Sequence, residues 1–187
     1  MAEHGEEKVR QANRSLLTLT LLHDIITWHA WNVHPPTREL VHRAKSDFNL
    51  GAESVRFHPY WAEPSRQLFN CKQDAIKISA WKNAEQLFIV AANLGEQGLL
   101  AEIEYLPEQI GFLPGLTVDY ESRQEFTVQD NRIQVPIPRH DFRILFAGKS
   151  SIPAITSRAT APVRLSPAQP EQEQLPETME RPQVEND

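Results

Sequence analysis

The sequence predicts a mainly β chain: an antiparallel β-sandwich of about seven strands, preceded by one β/α unit and followed by a disordered tail. Three observations carry this. Beyond Gly51, short segments that alternate apolar and polar residues are separated by turn residues, the pattern of half-buried strands. Before Gly51, an apolar run, a Pro-Pro break and an amphipathic segment follow one another as strand, loop and helix. From Ser151 to Asp187 there is no Phe, Tyr or Trp, and six of the 14 prolines fall there, so this stretch cannot bury enough apolar surface to offset its ordering entropy. The expected units are a polar segment over 1–14, a terminal β/α unit over 15–56, the sandwich over 57–148 and the tail over 149–187.

Glu6 to Arg14 reads as a short polar helix. Leu16-Leu17-Thr18-Leu19-Thr20-Leu21-Leu22 then gives an apolar run with partial period-two character, as in a strand covered by helices on both faces. It ends in His23-Asp24. Pro35-Pro36 breaks the chain, and Thr37 is placed to cap a helix whose apolar positions are Leu40, Val41, Ala44 and Phe48. Further on, Ile76, Ile78 and Ala80 alternate with Lys77, Ser79 and Trp81, whereas Leu87 to Ala92 is apolar on both faces and belongs at the centre of a sheet. Leu99, Ala101, Ile103 and Tyr105 share one face, with Glu102 and Glu104 on a solvated one. Leu116, Val118 and Tyr120 lead through Glu121-Ser122-Arg123 to Phe126 and Val128, and Asp130-Asn131 makes the next turn. Ile133, Val135 and Ile137 alternate with Arg132, Gln134 and Pro136; Pro136 and Pro138 cannot donate ladder hydrogen bonds and suit an edge. Phe142, Ile144 and Phe146 complete the set, and strands with one apolar face each pack as two sheets.

A net charge of -6 with no run of Lys and Arg argues against nucleic acid and against an anionic membrane surface as partners. Cys71 is the single cysteine, so neither an intrachain disulfide nor a cysteine-based zinc site can form. The acidic start Met1-Ala2-Glu3-His4-Gly5-Glu6-Glu7 does not resemble a secretory signal. Leu16 to Ile26, broken by His23 and Asp24, is shorter than the roughly 20 residues that span a bilayer. No cofactor or metal is expected, because His23, His29, His34, His42 and His58 fit no short ligand spacing.

Read in order, Leu21-Leu22-His23-Asp24, Phe57-His58-Pro59-Tyr60-Trp61, Lys77-Ile78-Ser79-Ala80-Trp81-Lys82, Ala91-Ala92-Asn93-Leu94-Gly95, Val118-Asp119-Tyr120 with Glu125, and Pro138-Arg139-His140-Asp141-Phe142-Arg143 resemble the carboxy-terminal part of bacterial proteins related to glycoside hydrolase family 123. The resemblance spans roughly Ser15 to Phe146 and implies the end of a TIM-like barrel followed by a β-sandwich. It also implies catalysis by an adjacent Asp-Glu pair on an earlier barrel strand, which this sequence does not contain. The expected role is therefore a catalytically incomplete accessory sandwich that packs against a barrel or self-associates. A free-standing carbohydrate-binding module is the alternative.

The candidate substrate-binding residues are His23, Asp24, Trp28, Trp31, Tyr60 and Trp61. A polar pair at the carboxyl end of a barrel strand is placed to hydrogen-bond a sugar hydroxyl, or else forms a strand-end turn with a satisfied histidine. The four aromatic rings suit either stacking on a pyranose face or packing between domains. Asp119, Glu121 and Glu125 are expected at a solvated hairpin end rather than as an acid/base pair. His140-Asp141 has no nucleophile-elbow serine to serve.

Overall fold

The computed structural model describes residues 2–26 and 34–149. The tail expected beyond 149, and Trp28 and Trp31, lie outside the described residues. The architecture has three layers. Two helices, α1 (Ala2–Leu22) and α2 (Pro35–Asp47), cover a six-stranded sheet, and a three-stranded sheet closes its other side.

The six-stranded sheet contains β1 (Arg56–His58), β3 (Ile76–Lys82), β4 (Gln86–Asn93), β9 (Asp141–Gly148), β6 (Leu116–Asp119) and β7 (Glu125–Phe126), side by side in that order. The smaller sheet is β2 (Phe69–Cys71), β5 (Leu99–Tyr105) and β8 (Arg132–Ile137). All pairings are antiparallel, and the described residues form a mainly β sandwich as the sequence predicts. β4 sits centrally. Its Leu87, Ile89 and Ala91 face the smaller sheet while Phe88, Val90 and Ala92 face the helices, which is why this segment is apolar at every position. Strand β8, which contains Pro136, is an edge, as expected. Asp130 and Asn131 both have positive φ, 48° and 63°, and reciprocal Gln129–Arg132 backbone bonds close the two-residue hairpin. Strands β1, β2 and β7, two or three residues each, are too short to show a periodicity and bring the number among the described residues to nine.

The amino-terminal expectation is overturned. Leu16 to Leu22 is not a barrel strand but the second half of α1, and the described part of 15–56 is helix, connection and helix rather than a β/α unit. No Gly, Pro or turn dipeptide separates Arg14 from Ser15, and leucine favours helix over strand, so the polar helix simply continues. Alternation was mimicked because α1 is apolar on two sides. Leu17, Leu21 and Leu22 are buried on the sheet with Phe88, Val90 and Phe146, whereas Val9, Leu16 and Leu19 stay 41%, 37% and 50% exposed.

Both helices stop in the same way. Asp24 and Asn49 take positive φ, 54° and 57°, and Ile25 N–H bonds to Thr20 O while Leu50 N–H bonds to Lys45 O, the 6→1 closure of a Schellman motif. At the start of α2 the cap is His34, not Thr37. His34 Nδ1 accepts from Thr37 N–H at 3.3 Å and lies 2.7 Å from its hydroxyl.

Arg14 is buried beneath α1. Its Nε donates to Asp141 Oδ1 at 2.6 Å, Nη2 to Phe142 O at 3.0 Å, and Nη1 reaches Glu121, while the guanidinium lies 4.5 Å from the Phe142 ring centroid. These contacts pin the helix across the end of β9. Asp119 also departs from expectation. It is 2% exposed, and its Oδ1 accepts Glu121 N–H at 2.8 Å and Ser122 N–H at 3.1 Å. In the turn after β6 the backbone pairs Arg123 N–H with Asp119 O, and the aspartate side chain turns inward to satisfy the amides of Glu121 and Ser122.

Candidate functional site

The end of α1 meets the loop after β1 through one buried hydroxyl. Ser79 Oγ, in the middle of β3, donates to Leu22 O at 2.8 Å and accepts Tyr60 N–H at 3.1 Å. That bridge fixes His23 beside Tyr60 and Trp61. The His23 ring stacks on Trp61 with centroids 4.9 Å apart and planes 22° from parallel, and meets Tyr60 edge-on at 5.6 Å. Leu19 O can only accept, so His23 Nδ1, 2.8 Å away, carries the proton, which leaves Nε2 facing the Tyr60 hydroxyl at 3.4 Å.

Of the candidate residues, His23, Tyr60 and Trp61 are thus brought together. Asp24 stands next to them at the exposed helix end, where its backbone turns the chain, and its charge acts on Lys45. Burial lowers the Lys45 pKa, and Asp24 opposes that shift. His23 and Asp24 close a helix rather than crown a strand.

Trp61 is 52% exposed. His23 covers one face, while Phe57 and Tyr60 meet the ring edge-on at interplanar angles of 68° and 87°. About half of the residue stays open to solvent. It borders a groove of about 670 Å³ whose wall also holds Phe57, His58, Leu68 and three basic residues, Arg56, Arg66 and Lys82. Burial, with the Lys82 charge as a smaller influence, holds His58 below the usual histidine range.

The three cations escaped sequence reading because they come from β1, β3 and a 3₁₀ turn at Pro64–Arg66. The β1–β3 register sets Arg56 opposite Lys82, and the 3₁₀ turn adds Arg66 to the same groove wall. Nothing in their local sequence announces that pairing.

Several of the described carboxylates are held in ion pairs. Asp141, Glu121 and Asp119 are engaged by Arg14 and Arg143, and Glu102 and Glu104 pair with Arg132 and Lys72 on the outer face of the smaller sheet. Among the described residues, no three His, Cys, Asp or Glu side chains converge as a metal would need, and no helix is long and apolar enough to cross a membrane.

No protein-family model and no curated protein matches the chain. Among solved structures, it is similar to the GH27 β-L-arabinopyranosidase of Geobacillus stearothermophilus, with TM-score 0.35 and 10% identity over 42% of this chain and 18% of that one. A variant of that enzyme in complex with arabinose aligns with TM-score 0.35 and 11% identity over the same shares. A candidate α-N-acetylgalactosaminidase of Bacillus halodurans C-125 aligns with TM-score 0.36 and 11% identity over 45% of this chain and 20% of that one. The chain spans about a fifth of the length of these structures, and the likeness covers a minority of the chain itself.

Proposed function

We propose that this chain is an accessory β-sandwich module of a glycoside hydrolase-like protein, without catalytic activity of its own, which packs against an apolar helical surface of a catalytic domain. One observation carries the packing role. Val9, Ala12, Leu16 and Leu19 follow a three-four-three spacing along the solvent side of α1, the seam that a helix offers to another helix. A monomeric protein gains nothing by placing such a stripe in water.

The ordered motifs that resemble proteins related to glycoside hydrolase family 123 support the carbohydrate-enzyme context. The engaged carboxylates support the lack of catalysis, because a glycosidase needs two suitably placed groups about the scissile bond, one of which the substrate sometimes supplies. Purified alone, the chain is expected to bind a hydrophobic dye or to self-associate, and to release no more aryl alcohol from aryl glycosides, N-acetylhexosaminides included, than a heat-killed control. A monodisperse, dye-silent monomer contradicts the packing role. Turnover abolished by substituting His23 contradicts the catalytic part.

A second reading, a free-standing carbohydrate-binding module, is favoured by the exposed ring of Trp61. An exposed indole suits the apolar face of a pyranose.

A further inference from the structure

We infer that the groove beside Trp61 binds a carboxylate-bearing sugar, a hexuronic acid residue within an oligosaccharide, with the ring on Trp61 and the carboxylate among Arg56, Lys82 and Arg66. The inference deepens the carbohydrate-binding reading and rests on it, while the packing role of α1 stands or falls separately.

The first observation is a like-charge pair that no carboxylate offsets by an ion pair among the described residues. Arg56 on β1 lies directly opposite Lys82 on β3, an arrangement that costs stability because the side chains share one face of the ladder at close range. Arg56 Nη1 donates to the carbonyls of Glu53 and Val55, and Lys82 Nζ to Gln109 O at 3.4 Å. These acceptors are neutral. Arg66 adds a third cation to the same wall, and among the described residues none of the three is in an ion pair. Glu63 is the single carboxylate of the lining.

The outer face of the smaller sheet offers a contrast. There Arg132 is matched by Glu102 at 3.3 Å and Glu104 at 3.1 Å, and Lys72 by Glu102 at 3.5 Å. In a chain of net charge -6, three unmatched cations around one concave surface mark a place kept for an anion.

The second observation fixes what kind of anion. Phosphate alone would use the cations and leave the indole idle, and a neutral sugar would use the indole and leave the cations unmatched. A uronic acid uses both, because its pyranose has an apolar face for stacking and its carboxylate suits the planar fork of arginine. His58, held below the usual histidine range by burial, adds a hydrogen-bonding group without adding charge.

The test is calorimetric titration of the full chain with a trisaccharide of galacturonic acid, the matching trisaccharide of galactose, adenosine monophosphate and inorganic phosphate, each at low and high salt. The galacturonate should bind about ten-fold or more tighter than the neutral sugar, with an affinity that falls as salt rises. Lys82→Gln should remove most of that preference without lowering the thermal midpoint, because it also removes the charge facing Arg56. Trp61→Ala should weaken binding of both sugars.

Equal binding of the two trisaccharides overturns the acidic preference and leaves the carbohydrate reading intact. Binding of neither overturns both. Phosphate or adenosine monophosphate binding as tightly as the galacturonate overturns the sugar assignment and leaves an anion site. A folded Lys82→Gln variant that keeps the full preference removes the cation from the account.

Discussion

On its inner side α1 lays Leu17, Leu21 and Leu22 against Phe88, Val90 and Phe146 and anchors Arg14 to Asp141, so that each of these four helix residues is at most 2% exposed. On its outer side Val9, Leu16 and Leu19 repeat the same chemistry in water. The residue types hardly differ, so composition does not decide which face becomes core. The difference comes from what the rest of the chain supplies: a sheet whose central strand is apolar on its helix-facing side, and nothing among the described residues for the other side. A helix with an apolar stripe on each of two opposite sides is built to lie between two surfaces, one of which is its own sheet.

Substitutions on the inner side should be the most damaging. Arg14→Ala leaves Asp141 buried without its cation and is expected to lower stability by about 3–5 kcal/mol, read as a lower denaturant midpoint. Leu21→Ala should cost about 2–5 kcal/mol through lost burial and a residual cavity. Leu19→Ala, two residues away on the opposite side, should change the midpoint by no more than about 0.5 kcal/mol. Equal costs for the two leucines would erase the distinction between the faces.

The helix cover also carries a titration signal. Tyr120 donates to Asp47 Oδ2 at 2.6 Å, joining the sheet to α2, and burial first, then that bond, pushes its pKa from 10.0 up to about 12. The phenol holds its proton more tightly when folded. Its contribution is therefore complete below pH 10 and is lost as pH rises from there through about 12. Tyr120→Phe should cost about 1 kcal/mol at neutral pH and flatten the alkaline fall in stability.

The bare face of the smaller sheet responds least. Arg132→Ala removes exposed pairs with Glu102 and Glu104, which solvent screens, and it should leave the denaturant midpoint unchanged.

How much was legible in the sequence follows the same division between faces. The position of β4 could be read because a strand buried on both sides must be apolar throughout, and the edge position of β8 because Pro136 has no N–H to give. The first half of the chain misled because leucines on two sides of a helix imitate a strand covered on two sides. Distinguishing them needs the helix propensity of leucine and the uninterrupted chain through Arg14, not the periodicity. Asp119 was misplaced because the demand of a tight turn for buried acceptors is invisible in an alternation pattern.

The candidate site was half legible. Aromatic residues flagged it, but the contact of His23 with Trp61 depends on Ser79, which is distant in sequence from both. Of the three groove cations, Arg56 and Lys82 meet only through the β1–β3 register.

The central claim, that the outer face of α1 is a docking surface and not part of the core, is tested most directly by comparing the wild-type chain with Leu19→Lys in sedimentation velocity and thermal unfolding. The account predicts that the substitution abolishes concentration-dependent association or dye binding and leaves the thermal midpoint unchanged. A variant that associates as strongly as wild type, or that unfolds several degrees earlier, would contradict it.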